Sequence, residues 1–196
     1  MSRAITILVS ANRRLAQRLW RESLDSLLLL QLKHLSEDYQ LSLSRGELKL
    51  LNQHWYVTHV GLLRVARRAR CVGISVQVVS RLSNPSTSRF SFKATVYTSK
   101  VCRGFTGYGD ADPSNVSPLV RGAEMRVAET RAVNRALRKA YGIGICSVEE
   151  LGFVDRAVSR ERPVRKLPPV SSNGNNGHGG NGNGSRIRDR LCQLIR

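Results

Sequence analysis

The chain has 196 residues, 41% of them hydrophobic and 23% charged, which suits one globular core of ordinary size with tails. Thirty-two Lys and Arg against 14 Asp and Glu give a formal charge of +18, far from the near-neutral balance of most soluble enzymes and indicative of a polyanionic partner. No segment reaches the length of a transmembrane helix, and Cys71, Cys102, Cys146 and Cys192 are too scattered for a zinc site or a disulfide framework, so neither metal nor cofactor is expected and the thiols read as reduced and cytoplasmic.

In chain order, residues 1–21 carry Arg3, Arg13, Arg14, Arg18 and Arg21 and no acid. That composition suits a plain amphipathic helix, with an organelle transit peptide as the alternative. From residue 11 to about 37, Leu15, Leu19, Leu24, Leu27, Leu28, Leu32 and Leu35 recur mostly at helical steps. The pattern predicts a helical N-terminal arm over 1–36 that packs on the core or on a neighbouring subunit.

The core itself is expected over 37–155. Two short strands, 47–51 and 55–57, flank a polar turn, and Thr58 caps a helix that ends in the cluster Arg64, Arg67, Arg68 and Arg70. Three strand-like runs follow. Val72, Ile74, Val76 and Val78 alternate in the first, Phe90, Phe92, Ala94 and Val96 in the second, and the third, 101–109, is aromatic and Gly-rich. Ser91, Lys93, Thr95 and Tyr97 face the other way from the second run's apolar set, so the sheet has one polar, basic face. Between residues 48 and 109 there is no Asp or Glu, while Lys49, Arg64, Arg67, Arg68, Arg70, Arg81, Arg89, Lys93, Lys100 and Arg103 all fall there. A stretch of that kind repels itself unless an anion compensates it.

Ser117 and Pro118 then open a long helix to about Tyr141, which Gly142 and Gly144 end. At 100° per residue, Arg131, Arg135 and Arg138 fall within about 60°, opposite a ladder of Ala128, Ala132, Ala136 and Ala140 that suits close packing. Glu129 projects to the ladder's side and needs a partner such as Arg126. The three arginines lie about 5 to 6 Å apart along the helix, close to the spacing of successive phosphates on an extended strand, and Lys139 adjoins them. Ser147 with Glu150 forms a capping-box pattern for one further short helix. The composition predicts a flexible basic and Asn/Gly-rich linker over 156–185 and, over 186–196, a short amphipathic helix or the start of a further domain, with Ile187, Leu191 and Leu194 on one stripe.

The string Gly107-Tyr108-Gly109-Asp110-Ala111 and the helix from Ala128 to Gly142, with its Arg135-Ala136-Leu137-Arg138 pattern, resemble the Rad fifty-two and Erf type of single-strand DNA annealing protein, in its bacterial and phage branches. The resemblance spans roughly residues 55–151. It implies an α+β fold with a curved antiparallel sheet and a long helix packed across it, a homo-oligomeric ring or filament, and a role in recombination and repair after DNA damage. It also implies a basic groove for single-stranded DNA, to which Arg135 and Arg138 map by position. Asn134 stands where the family often has lysine, with Arg131 one turn earlier as a substitute. The expected nucleic-acid contacts are therefore Arg131, Arg135, Arg138, Lys139, Arg64, Arg67, Arg68, Arg70, Lys93, Lys100 and Arg103. A recombination or single-strand-binding protein is a further expected partner, through the C-terminal tail.

Two other readings compete with this one. Asp110 and Asp112 beside Asn115 bring to mind a metal-dependent nuclease, but a calcium loop from Asp110 needs Gly at 115 and Glu at 121 and has Asn115 and Arg121; turn formation explains them better. Gly104, Gly107 and Gly109 lack the ending of a phosphate-binding loop, and no nucleophile with an adjacent base is evident, so no catalysis is expected. RNA binding or ribosome association fits the charge as well as DNA does, and Phe90, Phe92, Tyr97, Phe105 and Tyr108 are aromatics suited to stacking on bases of either kind.

Overall fold

A computed structural model describes residues 2–152; the linker and terminal helix expected over 156–196 lie outside the described residues. The chain opens with α1 (Arg3–Leu19) and α2 (Ser26–Asp38), joined through a single 3-10 turn at Arg21–Ser23. Where one arm was expected there are two helices, because Asp25 starts a new one by accepting a hydrogen bond from the Leu28 amide at 2.7 Å. The arm is not separate from the core. Leu28, Leu32 and Leu35 are buried in the common hydrophobic cluster, and the Trp55 indole donates to the Leu28 carbonyl at 2.9 Å. Asn12 of α1 is itself buried, donating to Ser36 Oγ and the Leu41 carbonyl and accepting from the Leu43 amide.

Strands β1 (Leu48–Leu51) and β2 (His54–Val57) form a hairpin around Asn52 and Gln53. Both turn residues have positive φ, the turn that matches the twist of paired strands. Helix α3 (His59–Arg68) follows with Thr58 as its N-cap, as the sequence predicts. A three-stranded antiparallel sheet comes next in the order β3 (Gly73–Val78), β4 (Phe90–Tyr97), β5 (Phe105–Ala111).

Helix α4 (Glu124–Tyr141) lies across β4 and β5. Its start differs from the expectation. Ser117 caps only one 3-10 turn, Pro118–Val120, and Gly122 with φ +83° breaks the path before the α-helix begins. The end is as expected, at Gly142 in the left-handed region. The alanine ladder works as a contact surface: Ala128, Ala132 and Ala136 are fully buried. Opposite them on β5 stand Gly107 and Gly109, where any Cβ would collide with the helix backbone at Ala128, Ala132 and Ala136. Small residues on both partners let helix and strand approach more closely than side chains normally permit.

The sheet covers only that stripe of α4. Glu129, expected toward the buried side, is exposed. Strand β3 is largely uncovered as well: Ile74, Val76 and Val78 pair with Val96, Ala94 and Phe92 and so share their face, yet Ile74 and Val78 are exposed together with Val72 and Leu82. The strand ends at Val78, with a 3-10 turn at Ser80–Leu82. Beyond α4, the chain runs beside β2 through the Val57 amide bonded to the Cys146 carbonyl at 3.1 Å, and the Ser147/Glu150 capping box closes one 3-10 turn, Val148–Glu150.

Candidate nucleic-acid interface

The helix that was expected to present three free arginines spends them internally. Arg131 is buried, 5% exposed, and its guanidinium donates to the carbonyls of Glu149, Asp110, Asn115 and Leu151 and to Asn115 Oδ1, all between 2.7 and 3.2 Å. It staples the ends of β5 and of the chain after α4 to the helix. Burial draws its pKa below the usual arginine value, and nearby Asp110 opposes that effect. This corrects its reading as a phosphate ligand: the guanidinium's donors are taken by four backbone carbonyls and the Asn115 side chain.

Arg135 and Arg138 converge on one carboxylate. Arg138 Nη1 lies 2.9 and 2.8 Å from the two oxygens of Glu150, and Arg135 Nε lies 3.2 Å from the nearer one. Arg135 also donates to the Tyr108 carbonyl at 2.8 Å, and Lys139 to that of Thr106 at 2.8 Å. These three cations, with Gly142, Ile143, Gly144 and Glu150, line a recess of about 400 Å³. Asn134 is fully buried, bonded to Ser147 Oγ, to Glu149 Oε2 and to the His59 ring. It joins α3, α4 and the 147–150 turn rather than facing a ligand. Glu150 is the site residue that sequence reading missed, since its capping-box role hid its place between two arginines; the signal available was the i, i+3 pair Arg135 and Arg138, which requires an anion.

A second cluster sits on α3. Arg64, Arg67 and Arg68, with Arg45, Val60 and Leu63, border a groove of about 560 Å³. Arg64 Nε is 3.0 Å from the buried Glu47 Oε1, an ion pair without an aligned hydrogen bond, and Arg68 donates to the Tyr39 carbonyl. Arg67 and Arg70 are exposed and form no ion pair among the described residues. Lys100 and Arg103 are exposed in the β4–β5 connection. Between them the Cys102 thiol is held below its ordinary pKa, chiefly by a hydrogen bond with the Thr98 side chain and also by the Gly104 amide.

Lys93 lies on the sheet face away from α4, directly across from Tyr108 and Gln77. Of the five aromatics named for stacking, Phe92 is buried, whereas Tyr108 at 53% and Phe105 at 39% are exposed. They point to opposite faces, because they are three residues apart on one strand.

The Asp110–Asn115 turn explains its own polar groups. Asp112 accepts from the amide and hydroxyl of Ser114, which hold its carboxyl below the usual range, and Asn115 donates to both Asp110 and Asp112. Among the described residues no group of three His, Cys, Asp or Glu side chains is placed to hold a metal ion, and no helix is long and apolar enough to cross a membrane. No family model, curated protein or solved structure matches the chain. Fold and surface thus define a class: an α+β protein with antiparallel sheets, one crossed by a helix, and a strongly cationic exterior.

Proposed function

We propose that this chain binds single-stranded DNA and anneals complementary strands, as a homo-oligomer, in recombination and repair, and that it makes and breaks no bonds. The observation that carries the reading is the acid-free stretch 48–109: its Lys49, Arg67, Arg70, Arg81, Arg89, Lys100 and Arg103 are all exposed and outside every ion pair among the described residues. Charge concentrated without internal compensation is what a phosphate backbone neutralises, with release of its counterions.

Single strands are favoured over duplex by the open polar sheet face, where Tyr108 stands exposed beside Lys93; a tyrosine ring next to a cation suits an unpaired base and its phosphate. In this mechanism the cationic surface holds a strand by its backbone and out of its own hairpins, leaving base edges free to test a complementary strand. The compartment implied is the bacterial or phage-infected cytoplasm.

The test is oligo(dT) binding across a salt series, coupled to an annealing assay. Replacing Arg67, Arg70, Lys100 and Arg103 together with Gln is expected to lower the slope of log affinity against log salt by about 3, at roughly 0.7 per lost single-strand phosphate contact, and to slow annealing in proportion. A wild-type chain that binds oligo(dT) weakly and oligo(U) tightly moves the assignment to RNA. Failure to accelerate annealing removes the proposed activity.

A further inference from the structure

Helix α1 carries a cationic strip that the surface described above does not include. Arg3, Arg13, Arg14, Arg18 and the following Arg21 are all exposed, and none forms an ion pair among the described residues. At 100° per residue, Arg3, Arg14 and Arg18 fall with the exposed Ile7 in an arc of about 60°, on the side opposite the buried Asn12 and Ala16. Arg14 and Arg18 are one turn apart, about 6 Å along the axis, close to the spacing of successive phosphates on an extended strand.

This strip works against the helix that bears it. Like charges at i, i+4 repel, Arg3 sits at the positive end of the helix dipole, and no acid occurs in residues 1–21 to relieve either effect. The helix is held by its other face, where Asn12 makes three hydrogen bonds to Ser36, Leu41 and Leu43 at 2.7 to 2.9 Å. The outer arginines therefore contribute nothing to folding that glutamine or lysine would not. The cations in the first 32 residues are exclusively arginine, the side chain whose planar fork matches a phosphate with two parallel hydrogen bonds.

We infer that the outer face of α1 is a second nucleic-acid contact, in which Arg14 and Arg18 bind adjacent phosphates of a single strand and Arg3, about 16 Å back along the same face, binds a third phosphate further along it. Helix α1 packs on α2, so the contact is carried by an element apart from α3 and the β4–β5 connection, and it extends the length of strand that one chain holds. An anionic membrane is the competing polyanion. It is disfavoured because a helix lying in a lipid surface buries its apolar face in the bilayer, whereas on the apolar side of α1 Ile5, Leu8, Leu15 and Ala16 are largely covered by the protein and only Leu19, at its last position, is exposed, and Ile7 alone interrupts the outer strip.

The inference rests on the proposed reading that the ligand is single-stranded nucleic acid, and the experiment separates the two. Full-length wild type, the triple variant Arg3→Gln, Arg14→Gln, Arg18→Gln, and a control Arg121→Gln, Arg126→Gln are compared for oligo(dT) binding across a salt series, with circular dichroism to verify folding. The triple variant is expected to lose about 2 from the salt slope, at roughly 0.7 per contact, and at least about tenfold in affinity at low salt. The control is expected to keep the wild-type slope. A triple variant with the wild-type slope overturns the inference while leaving the proposed function standing, and so does a control that loses as much per charge. Wild type that fails to bind oligo(dT) at all overturns the proposed function first. Loss of binding to phosphatidylserine vesicles by the triple variant, with its oligo(dT) slope unchanged, assigns the strip to membrane instead.

Discussion

Arg131, Arg135 and Arg138 differ little in sequence context and greatly in what surrounds them. Arg131 is enclosed by carbonyls, Arg138 holds Glu150 with two hydrogen bonds, and Arg135 shares that carboxylate while remaining 39% exposed at its side chain. Removing Arg138 alone leaves Glu150, 7% exposed at its side chain, with a single, more distant guanidinium. Arg138→Ala is therefore expected to destabilise the fold by about 3 kcal/mol, at the low end for a broken buried pair because Arg135 remains, measured by urea unfolding. Adding Glu150→Gln should recover much of that loss, since the amide keeps the capping hydrogen bond without the charge; no recovery would show that the Glu150 charge is not the source of the cost. A drop in DNA affinity in Arg138→Ala is thus interpretable only beside the unfolding curve.

Among the elements, the contact between α4 and β5 is the least tolerant of change. Gly109 has no room for a Cβ because the helix backbone at Ala128 and Ala132 already occupies the space, and a backbone cannot give way as a flexible side chain can. Gly109→Ala is expected to cost about 3 kcal/mol or more, above the usual overpacking range, or to push α4 off the sheet. Gly73→Ala, at a site with nothing within 4 Å of a new Cβ, should cost far less when both variants are measured by urea unfolding. Equal losses at the two glycines would mean that strand propensity, not the close approach, sets the penalty.

At the scale of the whole molecule, the three-stranded sheet has one covered half and one open half. Strand β3 is an edge strand bearing exposed Ile74 and Val78, with exposed Val72 just before it, the kind of surface that pairs with another chain unless it is blunted. The homo-oligomer proposed above makes this edge its natural seam. Light scattering is expected to show particles several times the mass of one chain, and Ile74→Glu with Val78→Glu to reduce them to smaller species with unchanged helix content. A wild-type monomer, with or without oligo(dT), is incompatible with the oligomeric part of the proposal.

Local chemistry was legible in the sequence wherever one short segment decides the outcome. The Thr58 cap, the Ser147/Glu150 box, the Gly142 stop and the alternation in β4 all depend on neighbours within a few positions, and hydrogen-bond geometry at that range leaves few alternatives. The charge surplus and its acid-free stretch are likewise sums over sequence and need no fold. Partnership across the fold was not legible. Whether Arg131 faces solvent or five acceptors, whether Glu129 is covered, and whether Ile74 meets a helix or water depend on where α4 comes to rest, and that is set by two glycines on β5 meeting three alanines on the helix. By itself the sequence determined a cationic α+β protein; tertiary structure alone decided which arginines stay unpaired at its surface, because a guanidinium's reach is spent on whatever acceptor the fold brings nearest.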